Sequence, residues 1–216
     1  MEAAATARRT VGWTIVIVAL ALGQGCAMGQ KVNYGNATMF SLRVSAPQVA
    51  VGVQDRRSYV ASREKGPQFV GLSRGGFGNP FDVETESGRP LSDEMAGVIA
   101  HSLRQRGTQV VVVPLQVLDT PEAARERLAR SGAPRALHVT IDEWKSDSYA
   151  GTGLAYALIA VGYDASGRKL GECRVAGDDD LGGSMGIHSA KEALPAEMAK
   201  RLEQLLSDPA LDAVLR

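Results

Sequence analysis

The chain is poor in cysteine, histidine and aromatic side chains, and it carries no excess of either charge. Its two cysteines, Cys26 and Cys173, exclude a fold stapled by several disulfides. The three histidines, His101, His138 and His188, have no metal-ligand spacing, so no metal is expected. Lys plus Arg number 24 and Asp plus Glu also 24, and there is no polybasic run, which excludes nucleic acid as a partner. No Gly-x-Ser-x-Gly element and no Gly-Lys-Ser/Thr ending occur, which removes the hydrolase elbow and the P-loop. No cofactor is implied and no catalytic residue can be nominated, so the chain is read as non-catalytic.

What is present begins at the N-terminus. Arg8 and Arg9 precede the apolar run Val11 to Leu22, and the small residues Gly23 and Gly25 lead to Cys26. That is a secretory signal layout over residues 1–25. The run is shorter than the roughly 20 apolar residues a spanning helix needs. Leu22-Gly23-Gln24-Gly25-Cys26 resembles the lipobox of bacterial lipoproteins, with Gly25 in the small position and Cys26 in the acylated one. It departs from that pattern at Gly23, where a large aliphatic is usual. Two routes stay open. Acylation of Cys26 anchors the protein to an envelope membrane, facing the periplasm; cleavage after Gly25 or after Ala27-Met28-Gly29 frees a soluble periplasmic protein.

Residues 26–46 mix Gly29, Asn33, Gly35 and Asn36 with few clustered hydrophobics and read as a tether. The globular domain is expected over 47–216. Val49, Val51 and Val53 alternate with Ala50, Gly52 and Gln54 as a first strand. Leu91 to Arg106 places Leu91, Met95, Val98, Ile99 and Leu103 on one side of a helix, with Gly107 past its end. Four consecutive valines, Val110 to Val113, predict a central strand buried on both faces. Thr120-Pro121 then starts a helix that Gly132 ends.

Leu137, Val139 and Ile141 alternate with His138 and Thr140, predicting a strand with one wet face. Strands over Gly153–Tyr163 and Lys169–Ala176 follow, joined by the tight link Asp164-Ala165-Ser166-Gly167, and the three form an antiparallel meander. Cys173 falls in the last of them as a small core residue. Asp178-Asp179-Asp180 reads as a solvated turn, and the last helix carries Leu194, Met198, Leu202 and Leu205, with Pro195 marking a break in its first turn. The fold class is α/β: one domain, a mixed sheet with an antiparallel C-terminal meander and helices packed on it, in the order β-loop-α-β-α-β-β-β-α.

The loop over residues 58–89 is the unusual segment, because loops this long are uncommon in compact domains; within it Gln68 to Leu72 is compatible with a short extra strand. Gly71 to Gly78 is too far from the helix at Leu91 to cradle a phosphate. Its aromatics argue against disorder. Two readings stay open for Arg74, Phe77, Asn79 and Phe81: a packed lobe, or a partner-binding surface with the composition of interface anchors.

With the signal, the strand ending Asp55-Arg56-Arg57, the helix closing on Gly107, the meander and the ending Leu205-Leu206-Ser207-Asp208-Pro209 in place, residues 47–216 resemble bacterial YajG-like envelope lipoproteins. That resemblance implies an uncharacterised lipoprotein with no catalytic residues to carry over. The expected function is a lipid-anchored envelope protein that binds another envelope component. The alternative is a periplasmic module for a small ligand or cation near Asp178.

Overall fold

β-branched and small residues build a single mixed sheet, and the helices cover both of its faces. The computed structural model describes residues 29–35, 37, 39, 42–182 and 188–216; Cys26, the signal segment and the side chain of His188 lie outside the described residues. The strands are β1 (Lys31–Val32), β2 (Gln48–Asp55), β3 (Phe69–Arg74), β4 (Pro80–Thr85), β5 (Gln109–Val112), β6 (Arg135–Ser148), β7 (Thr152–Asp164) and β8 (Lys169–Asp180). The helices are α1 (Ser58–Ala61), α2 (Leu91–Arg104), α3 (Pro121–Ala129), α4 (His188–Leu206) and α5 (Asp212–Leu215), with a 3₁₀ turn at Pro209–Leu211 before the last.

β6 is the spine. Its first half pairs in parallel with β2, which in turn pairs in parallel with β5, and its last residues pair in parallel with β3. On its other side β6 pairs antiparallel with β7, and β7 with β8, so the expected meander is present. Asp164 accepts from the Gly167 amide to close the β7–β8 turn (2.9 Å). The helix over Leu91–Arg104 and the Thr120-capped helix, whose hydroxyl accepts from the Ala123 amide, also follow the sequence.

Val49, Val51 and Val53 face the main core with the buried sides of α2 and α4. Ala50 faces the opposite side, where Leu128 of α3, Ala133 and Ala136 make a smaller cluster. β2 is therefore buried on both faces, and it takes the central place expected of the valine run. β5 instead lies at the sheet edge, with Gln109 and Val112 exposed. Pro114 lacks a ladder N–H and ends the run, and the outward carbonyl of Val110 accepts from Arg104 Nη2 (2.9 Å).

Three other expectations are corrected. The 29–46 stretch is no tether over its described residues. β1 pairs with β4, and Val32, Tyr34, Met39, Leu42 and Ala46 are buried. Trp144 Nε1 donates to the Tyr34 hydroxyl (3.1 Å), Arg106 Nε donates to the Leu42 carbonyl (2.7 Å), and the Ser45 and Ala46 amides donate to the Leu215 carbonyl. Its apolar residues follow no period of 2 or 3.6, which hid their burial. The 58–89 loop is structured: α1 is followed by the antiparallel hairpin β3–β4. The helix α4 runs through Pro195 without a restart.

Candidate interaction surface

The four nominated residues lie on one hairpin, and it sends them to different fates. Ser73 pairs with Phe81 and Arg74 with Pro80, so the turn occupies residues 75–79. The Gly75 amide donates to the Asn79 carbonyl (3.0 Å) and the Gly78 amide to the Gly75 carbonyl (2.7 Å). Gly78 takes φ +80°, a left-handed conformation that costs glycine little and other residues much more. Phe81 is half-buried, packed over Gly75, where an added Cβ would meet its ring at 3.2 Å. Phe81 is architecture. Phe77, at the tip, is 99% exposed, and Asn79 is exposed beside it.

Arg74 is committed to a neighbour. Its guanidinium binds both carboxylate oxygens of Asp147 on β6, Nε at 2.8 Å and Nη2 at 2.5 Å, and this hydrogen-bonded pairing holds the Asp147 carboxyl below its ordinary range. The pair ties the hairpin to β6 and leaves the base of the tip nearly neutral. Because β3 runs parallel to β6 with Ser73 beside Ser148, the β6–β7 turn emerges at the same end of the sheet. Tyr149 on that turn is 57% exposed. Phe77 and Tyr149 are two of the four exposed large hydrophobics among the described residues, Val112 and Leu118 being the others. Tyr149 was missed from the sequence. Its signal was the same as that of Phe77, an aromatic on a short glycine-containing turn.

Several titratable groups elsewhere have structural duties. Arg57 is fully buried and bound to Asp55 through Nε (2.9 Å) and Nη2 (2.6 Å), while Nη1 donates to the Phe69 carbonyl (2.6 Å). Its guanidinium lies over the Tyr59 ring at 5.4 Å, and the Tyr59 hydroxyl donates to Glu143 Oε1 (2.6 Å). The network fastens β2, α1, β3 and β6 together.

His138, expected on a wet face, is 5% exposed because α3 and the 113–119 segment cover that side. Gln54 Nε2 donates to the carbonyls of Gln116 (3.0 Å) and Asp119 (2.7 Å), so its oxygen faces His138 Nε2 (3.2 Å) and accepts from it. Burial first, and Arg56 second, lower this imidazole to about 4, so it is neutral at pH 7. His101 is exposed on α2, beside Gln105. Cys173 is half-buried, and burial with a hydrogen bond to Asp208 raises its thiol to about 11. A thiol so placed is a poor nucleophile.

The acidic run is strand, not turn: Asp178–Asp180 end β8 opposite Gly153–Ala155, and Asp179 is paired with Arg201 of α4. An open cleft of about 540 Å³ lies there, lined by Asp178, Asp180, Glu197, Lys200 and Arg201 among others. Among the described residues no cluster of three or more His, Cys, Asp or Glu is placed to hold a metal ion, and no helix is long and apolar enough to cross a membrane.

No protein-family model and no curated protein matches this chain. Similar solved structures include protein XCC0632 from Xanthomonas campestris, assigned to DUF330, at TM-score 0.50 and 10% identity over 83% of this chain and 91% of that one. They also include the PelC dodecamer from Paraburkholderia phytofirmans, at TM-score 0.42 and 14% identity over 79% and 93%. Lipoprotein GNA1162 from Neisseria meningitidis follows at TM-score 0.31 and 13% identity over 74% and 99%. The likeness to the Xanthomonas protein shows a shared fold, and identities this low carry fold without function.

Proposed function

We propose that this is a non-catalytic, lipid-anchored protein of the bacterial envelope, YajG-like in kind, whose β3–β4 tip engages another envelope component. The observation that carries the reading is Phe77, held 99% exposed on a hairpin that is itself pinned by Arg74–Asp147. An exposed phenylalanine on a mobile loop would mean little. On a hydrogen-bonded turn with its base fixed, it is a preorganised anchor that loses little entropy on contact. The lipobox-like run ending at Cys26 supplies the anchoring half. The test is a photoreactive phenylalanine analogue placed at position 77 of the full chain in intact cells. Adducts to an envelope component are expected from position 77 and not from Leu118; the absence of any adduct from 77 would overturn the reading.

A further inference from the structure

We propose that the component met by the tip is the lipid surface itself: the sheet end bearing Phe77 and Tyr149 rests on the bilayer into which Cys26 is anchored. The inference rests on the anchoring reading above and adds a direction to it. Gly29 lies against Asp82 of β4, where an added Cβ would sit 2.9 Å from the Asp82 carbonyl oxygen, and Gln30 Nε2 donates to Ser73 Oγ (2.8 Å). The chain therefore enters the fold two residues from the Pro80 end of β4, about 7 Å of strand from the base of the turn.

Only Ala27 and Met28 lie between Gly29 and Cys26, so three backbone steps keep the acylated residue within about 10 Å of Gly29 whatever path the chain takes. A bilayer holding Cys26 is then held against this end of the sheet. The end is suited to it. Two aromatics stand out from adjacent turns, and aromatic rings favour the headgroup boundary. The cation beneath them, Arg74, is neutralised by Asp147.

The acidic end of β8 sets the tilt. Asp178 and Asp180 are exposed three strand spacings from β3, across β6 and β7, or about 14 Å. An anionic surface repels that corner, so the domain leans towards the β3–β4 side. The arrangement is a second contact with the bilayer that orients the domain, additional to the acyl anchor at Cys26.

The test uses the full chain purified from membranes, with Phe77→Trp, reconstituted in phosphatidylethanolamine/phosphatidylglycerol vesicles with brominated acyl chains. Leu118→Trp is the control, and the emission of the native tryptophans, including the buried Trp144, is subtracted using the unsubstituted chain. Leu118 is 77% exposed but sits beside Val117 and Asp119, which Gln54 holds level with Thr140, roughly 25 Å along β6 from Ser148. Quenching and a blue shift at position 77, with neither at 118, are expected. Intact mass measured on the same preparation separates the two ideas. Acylated Cys26 with an unquenched, solvent-like Trp at 77 overturns the orientation and leaves the anchor standing. Quenching at 77 without an acyl group supports the contact and removes the anchor. A blue shift at 77 in native membranes that brominated lipid does not quench means a protein covers the tip, and overturns the proposal.

Discussion

Arg57 and His138 are buried ionisable groups handled in opposite ways. Arg57 keeps its charge because Asp55 and three backbone carbonyls satisfy it. Arg57→Ala leaves Asp55 buried beside an empty space, and a loss of about 3–5 kcal/mol is expected in urea unfolding of the full chain. His138 gives up its charge. Its folded pKa of about 4 lies below the ordinary 6.5, so between these values the unfolded chain binds the extra proton. Stability is therefore full above pH 6.5 and falls as pH drops towards 4, by up to about 3 kcal/mol. His138→Gln, which keeps a donor for Gln54, should flatten that fall; an unchanged slope would assign the acid sensitivity to another group. At the tip, Phe77→Asp touches nothing folded. It should change stability by less than about 0.5 kcal/mol while abolishing the adducts formed from that region, read from photoreactive Tyr149 substitutions.

At the level of elements, periodic segments were legible and irregular ones were not. α2, α3 and the meander carry 3.6- or 2-residue patterns with caps and a hairpin glycine, and they occur where those patterns fall. β5 misled because four valines describe apolarity and not position, and only Pro114 hinted at an edge. Gln68 to Leu72 hinted at β3, but its partner β4 was hidden by the glycines between them, which read as loop composition although Gly75 and Gly78 are what close the turn. Of the four nominated residues, the sequence could not separate Phe81 from Phe77. Their exposure depends on which side of a turn each falls. The close approach of the C-terminus to the sheet was also invisible. At Gly171 an added Cβ would lie 1.7 Å from the Ala210 carbonyl oxygen, a backbone atom that cannot rotate away. Gly171→Ala should lift the 3₁₀ turn and α5 from β8 and cost about 1–3 kcal/mol. Hydrogen exchange should quicken at the Ser45 and Ala46 amides, which bond to Leu215.

For the whole molecule, the N-terminal segment joins the parts. The described residues of 29–46 bond to β4, to Ser102 of α2 and to the Leu215 carbonyl, so the segment expected to hold the domain away from a membrane is packed into the domain. That burial turns a question about processing into one about orientation. The described chain begins at the end of the sheet that carries Phe77, as the proposed anchoring at Cys26 requires. The central claim is anchoring at Cys26, and mass spectrometry of the mature N-terminus from native membranes tests it most directly. A first residue Cys26 bearing a diacylglyceryl group is expected. An unmodified chain beginning at Gln30 would contradict it.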